Sequence, residues 1–135
     1  MSQENVDIAR RGVEAYTQID DAAAFALVSP TMKLELGPGV TPAGMQPVYE
    51  GHEGLRQFRS LLFDVFEHYE AEIEDVKDSG DDVLVVFRER GTGRLSGVLV
   101  DRRLHSVVTV KGGKIARSRT YLDKAEALKA VGLNG

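Results

Sequence analysis

The chain has 135 residues, 17 Lys and Arg against 21 Asp and Glu, a formal charge of −4, three histidines, and neither cysteine nor tryptophan. A chain this long buries roughly two-thirds of the surface its unfolded form exposes, so one domain over residues 1–135 is expected. The missing cysteines exclude a disulfide scaffold, a thiolate nucleophile, an iron–sulfur cluster and every cysteine-based zinc site, and the acidic balance argues against a nucleic-acid partner.

Ser2 offers an N-cap to a first helix whose apolar residues Val6, Ala9, Val13 and Tyr16 recur at steps of three and four. A short second helix over Ala22 to Val28 is capped by Asp20 or Asp21 and stopped by Pro30, whose ring cannot continue it. Met32 to Leu36 alternates apolar residues with Lys33 and Glu35, the period of a half-buried strand. Gly37 to Pro47 holds three prolines and three glycines and reads as a surface loop within one domain. After a short Val48-Tyr49 piece, Leu55, Phe58, Leu62, Val65 and Tyr69 fall on one face of a helix over Glu53 to Tyr69.

Four strands follow, Ala71 to Lys77, Val83 to Arg90, Val98 to Val110 and Ile115 to Leu122. They are divided by the turn signals Ser79-Gly80-Asp81-Asp82, Gly91-Thr92-Gly93 and Lys111-Gly112-Gly113-Lys114. Asp123 to Val131 is a last helix, with capping-box spacing from Asp123 to Glu126 and Gly132 as its stop. Hairpin-length turns require antiparallel pairing, so the fold class is α+β, with helices laid on one face of a curved antiparallel sheet. No apolar run approaches the ~20 residues of a membrane span. Residues Met1 to Asn5 lack a basic n-region and an apolar h-region, so a cytoplasmic protein without a membrane partner is expected.

Alternation sorts the side chains of the longest strand. Val98, Val100, Arg102, Leu104, Ser106, Val108 and Val110 share the more apolar face, which is expected to meet the helices and places Arg102 and Ser106 inside. Leu99, Asp101, Arg103, His105, Val107 and Thr109 share the other; a bulge would exchange His105 for Ser106. In the last strand the row without arginine, Ala116, Ser118, Thr120 and Leu122, is read as inner and Ile115, Arg117, Arg119 and Tyr121 as outer. Small side chains beside an inward arginine suggest a pocket for a small molecule, or space for a helix packed above them.

Glu4-Asn5-Val6, Arg10-Arg11 and Glu14-Ala15-Tyr16, then Tyr49-Glu50-Gly51-His52-Glu53-Gly54-Leu55-Arg56, then Gly113-Lys114-Ile115-Ala116-Arg117 and the tail from Tyr121 to Leu133 form a set of segments. Together they resemble the SnoaL-like branch of the nuclear transport factor 2-like superfamily. The resemblance implies a cone: a curved sheet wrapped around about three helices with a short C-terminal helix, enclosing a cavity, and a homodimer through the outer face of the sheet. It implies little about activity, because the fold carries isomerases, cyclases, epoxide hydrolases, dehydratases and members that only scaffold. At the positions where ketosteroid isomerases carry their carboxylate base, tyrosine and second acid, this chain has Leu36, Gly12 and Ser106. The Asp-Arg-Asp set of limonene-type epoxide hydrolases meets only Asp101 and Arg103 in reverse order, with Asp123, which reads as a helix cap, left for the second Asp.

Arg102 is the leading functional candidate, since a permanent guanidinium on an apolar face needs a ligand anion, an internal acid or a route to the rim. His105 is the candidate general base, or else a histidine of the outer sheet face. Tyr16, Ser106, Ser118 and Thr120 complete the expected cavity set with Arg102. Arg88, Glu89 and Arg90 end a strand whose two faces are both apolar up to Phe87, so which of them points inward is open. His52 reads as a capping or loop residue and His68 as a cation at a helix end. No HxH or HExxH pair is present, so no metal and no cofactor is assigned. The reading is a small-molecule-binding protein or enzyme for an apolar carbonyl-bearing or anionic ligand, and if an enzyme, one of cofactor-free isomerisation, cyclisation or dehydration. The alternative is a non-catalytic dimeric ligand-binding or scaffold protein of the same fold.

Overall fold

A computed structural model describes residues 2–17, 21–41, 46–80 and 82–131. Helices α1 (Ser2–Thr17) and α2 (Asp21–Leu27) lead into strand β1 (Val28–Leu36), then β2 (Val48–Glu50) and helix α3 (Gly51–Val65). Strands β3 (Phe66–Ser79), β4 (Asp82–Gly93), β5 (Leu99–Lys111) and β6 (Lys114–Tyr121) follow, and helix α4 (Lys124–Ala130) comes last. The six strands form one curved sheet in the order β2-β1-β6-β5-β4-β3. The four consecutive strands pair antiparallel, as their short turns require, and β1 joins β6 in parallel. At the β5–β6 turn, Gly112 and Gly113 both take positive φ, the conformation that matches the twist of a tight hairpin.

The inner face of the sheet packs against α1, α2 and α3, with Val83, Val85 and Val108 fully buried. Each such side chain contributes about 1.5–3 kcal/mol relative to exposure. On the opposite face, α4 lays Ala127 and Leu128 over Leu84 and Val107. Its N-cap is Asp123, whose carboxylate accepts the Ala125 N–H at 2.9 Å; the Gly132 stop lies outside the described residues. β3 forms one edge of the sheet and carries Glu67, Glu70, Glu72 and Glu74.

Several boundaries differ from the sequence reading, each for a local reason. The helix expected to reach Tyr69 ends at Val65, where the Phe66 N–H bonds back to the Leu62 carbonyl and the chain turns extended. Tyr69 belongs both to the helical stripe and to the alternation Tyr69, Ala71, Ile73 against Glu70, Glu72, Glu74, and the strand period prevails. His68 is therefore in β3, with φ 52°, inside a bulge between Glu67 and Glu70. Gly91-Thr92-Gly93 is the end of β4, and the turn is the segment 94–98, closed by the Gly93 N–H to the Val98 carbonyl at 2.9 Å. Gly91 is explained by close approach: a Cβ there would stand 3.3 Å from the Phe66 ring. Pro30 does not precede the first strand but lies within β1, where its pairing with β6 is irregular between Val28 and Lys33. In β6 the register shifts between Thr109 and Val110, so Ala116 is the extra residue and Ile115, Ser118 and Thr120 share the inner face. Leu122, expected inward, lies beyond β6 and is exposed.

Candidate functional site

The helices and the inner face of the sheet enclose a cavity of about 100 Å³. Its wall is mostly apolar, with Val28, Met32, Leu34, Leu55, Phe58 and Leu104 contributing, and its polar members come from the strands and the following loop. The positions of the ketosteroid isomerase set, Gly12, Leu36 and Ser106, all lie on this wall and bring no acid to it.

An acid is nevertheless present. β4 and β5 run in unbroken register from Asp82 opposite Thr109 to Thr92 opposite Leu99, which sets Glu89 directly across from Arg102 on the inner face. Glu89 is 4% exposed and lines the cavity. Its Oε1 accepts from Arg102 Nε at 2.8 Å and its Oε2 from the Tyr69 hydroxyl at 2.7 Å. Arg102 also donates through Nη1 to the Gly39 carbonyl at 2.9 Å and through Nη2 to the Val40 carbonyl at 2.5 Å. Of the destinations open to Arg102 in the sequence, an internal acid is the one it meets. Tyr69 reaches Glu89 because the His68 bulge inserts a residue into β3 and re-aims the strand at that point.

Ser106 and Thr120 are both buried, oppose each other across β5 and β6, and share a hydroxyl–hydroxyl hydrogen bond of 2.8 Å. Ser118 lines the same wall. Of the expected cavity set, Arg102, Ser106, Ser118 and Thr120 are thus brought together; the Tyr16 side chain lies outside the described residues.

His105, the candidate base, is turned away from the cavity. With no bulge in the β4–β5 register, it stays in the outer row, opposite Val86, and borders an outer groove with Lys124 and Leu128 of α4. There it is buried, and Nδ1 has no hydrogen-bond partner among the described residues. Burial pushes its pKa below the ordinary value, and the charges of Lys124 and Arg103 add to the effect while Asp123 opposes it. His52 is a structural joint: Nε2 meets the Val28 carbonyl at 2.9 Å and the ring stacks on Phe25 at 4.8 Å. Among the described residues no three His, Asp or Glu side chains come together as metal ligands.

Beyond α4, the outer face of the sheet carries ion pairs. Arg88 holds Asp101 at 2.6 Å, Arg103 holds Glu74 at 2.5 Å, and Arg117 bonds to Glu35. The hydrogen bond from its arginine keeps each of these three carboxylates below its usual pKa.

The model of the SnoaL-like domain family matches residues 9–118. The chain belongs to the SnoaL-like family. Solved structures agree on the fold. An NTF2-like protein from Burkholderia thailandensis E264 is 25% identical, with 91% of this chain and 95% of that one covered and a TM-score of 0.77. An NTF2-like protein of unknown function from Burkholderia pseudomallei K96243 is 19% identical over 95% and 97% of the two chains, with a TM-score of 0.77. A protein provisionally named a SnoaL-like polyketide cyclase, from Jannaschia sp. CCS1, is 21% identical over 99% and 95%, with a TM-score of 0.75. In sequence, no curated protein matches the chain. No helix among the described residues is long and apolar enough to cross a membrane.

Glu89 is the functional candidate that sequence reasoning left open. The missed signal is the pairing itself: with Arg102 inward on β5, an opposite charge directly across on β4 is the natural way to offset its burial.

Proposed function

We propose that this SnoaL-like protein binds a small, apolar, carbonyl-bearing molecule in the cavity and moves a proton on it without a cofactor, with Glu89 as the base. The supporting observation is a buried carboxylate on an otherwise apolar wall, oriented by Tyr69 at 2.7 Å and Arg102 at 2.8 Å. Each Glu89 oxygen has a second lone pair beyond the one those donors use. In the proposed step Glu89 takes the proton from the carbon next to the carbonyl, the C–H electron pair passes into an enolate, and the Glu89 carboxyl, after exchanging with solvent, returns a proton to the same or a different carbon. The negative charge moves from Glu89 to the ligand, and Arg102 remains its counter-charge throughout. Return of the proton to a different carbon is an isomerisation. In a cyclisation the enolate carbon would instead attack a second carbonyl of the ligand, whose oxygen takes the proton from Glu89, and in a dehydration the enolate would expel a β-hydroxyl, which takes that proton and leaves as water.

The test is proton exchange. Ketones and enones incubated with the protein in D₂O should exchange their α-hydrogens faster than in buffer, and Glu89→Gln should reduce that acceleration by about 10²–10⁴-fold, the usual contribution of a positioned base. Exchange by Glu89→Gln as fast as by the wild type would refute Glu89 as the base.

A second reading is favoured by the fact that both Glu89 oxygens are already engaged: a binding protein that holds its ligand without turnover. It predicts ligand-induced stabilisation with no exchange above buffer. The homodimer through the outer sheet face also stands as a proposal, with α4 covering Leu84 and Val107 and leaving the ion-paired strip as the contact area.

A further inference from the structure

The cavity has a definite charge balance. Among the described residues on its wall, Glu89 and Arg102 are the charged ones, and they neutralise each other at 2.8 Å. Arg102 spends two more of its five N–H donors on the Gly39 and Val40 carbonyls. An incoming anion would face the Glu89 carboxylate, which already offsets the guanidinium charge, and an incoming cation would meet Arg102. Neither finds an unbalanced opposite charge to offset its lost hydration, since the other polar groups on the wall are neutral hydroxyls. This removes the role that the sequence suggested for Arg102, an anchor for an anionic ligand.

An uncharged anchor is present instead. Ser106 and Thr120 carry two hydroxyl hydrogens, and the 2.8 Å bond between them uses one. The other stays on the accepting member of the pair, on the cavity wall, where an oxygen can receive it. The available space sets a further limit. The cavity is about 100 Å³ and open on one side; an engineered closed apolar cavity of about 150 Å³ accommodates benzene, so a single ring fills this one with part of its surface at the mouth.

We propose that the cavity selects an uncharged molecule no larger than a single ring or short branched chain, and that its carbonyl or ether oxygen accepts from the Ser106–Thr120 hydroxyl pair. This rests on the cavity reading given under Proposed function and narrows its ligand class. Fused polycycles and carboxylates are excluded by size and charge respectively.

The experiment is an amide-detected NMR titration of the full chain with five probes: cyclohexanone, cyclohexene, cyclohexanecarboxylate, cyclohexylammonium and a fused four-ring ketone. Cyclohexanone should shift the amides of Leu104, Ser106 and Thr120, and bind at least about tenfold more tightly than the carboxylate or the ammonium. It should also bind roughly three- to tenfold more tightly than cyclohexene, the contribution of one neutral hydrogen bond. The double variant Ser106→Ala/Thr120→Val removes both partners at once, which leaves no buried polar group stranded. It should bring cyclohexanone down to the level of cyclohexene while cyclohexene binding persists, which also verifies that the variant is folded. Equal or tighter binding of the carboxylate, the ammonium or the four-ring ketone overturns the proposal and leaves the cavity reading standing. Unchanged ketone binding in the double variant overturns the hydroxyl assignment. If no probe shifts any cavity amide, the cavity reading itself fails along with it.

Discussion

Replacing Arg102 by methionine keeps most of the apolar stem and deletes the charge. It strands Glu89, whose side chain is 5% exposed, and releases the Gly39 and Val40 carbonyls that the guanidinium holds. Breaking a fully buried ion pair from one side costs about 3–5 kcal/mol. Here the Arg102 side chain is 22% exposed and Tyr69 still donates to Glu89, so a loss of about 2–3 kcal/mol is expected at neutral pH. With an unfolding entropy of about 2.1 cal/mol/K per residue, that lowers Tm by roughly 7–11 °C. The assay is urea denaturation at 25 °C of the wild type, Arg102→Met, Glu89→Gln and the double variant, with slopes compared so that only midpoints carry the difference. The double variant removes the stranded charge, so it should be more stable than Arg102→Met alone by about 1–2 kcal/mol. A loss below about 0.5 kcal/mol in Arg102→Met, or a double variant no better than the single, would refute a buried, mutually dependent pair.

Three further outcomes follow from other parts of the molecule. Tyr69→Phe deletes the hydrogen bond to the Glu89 carboxylate and should cost about 1.5–3 kcal/mol in the same urea assay, the range for a bond to a charged group. Asp123→Ala removes the cap of α4 and should cost about 1 kcal/mol, with faster amide exchange at Leu84 and Val107 beneath the helix. His105 has a folded-state pKa below its unfolded value, so the unfolded chain binds protons more readily as pH falls below about 6.5, and stability is lost on acidification through that window. In His105→Gln that part of the pH dependence of Tm should disappear, and an unchanged profile between pH 7 and 5 would show that His105 is not the group responsible.

Much of the fold could be read from the order of periodicities. Alternation in Val98 to Val110 identified the inner row of β5, and the Lys111-Gly112-Gly113-Lys114 turn fixed its hairpin, so Arg102 and Ser106 were assigned to the correct face without structural information. Three kinds of residue escaped. Tyr69 fits a helical stripe as well as a strand, and only the Phe66 cap decides between them. Ile115 exchanged faces with Ala116 through a one-residue register shift that has no signature in composition. Glu89 was ambiguous because β4 is apolar on both faces, one toward the cavity and one toward α4, so alternation gives no contrast there. The site was legible where one face of a strand meets solvent and illegible where both faces are covered.

The open sheet has two free edges, and a free edge is a template on which another chain can add a strand. β2, at one end, offers only three residues. β3, at the other, is fourteen residues long but presents Glu67, Glu70, Glu72 and Glu74 along its length. Arg94, Arg90 and Arg103 hold Glu67, Glu70 and Glu74 from within the sheet, so a second β3 pairing there would have to disturb these ion pairs as well as bring acidic residues together across the new ladder. Part of the chain's negative charge thus serves colloidal behaviour independently of the cavity, and neutralising these glutamates would turn a soluble edge into an adhesive one.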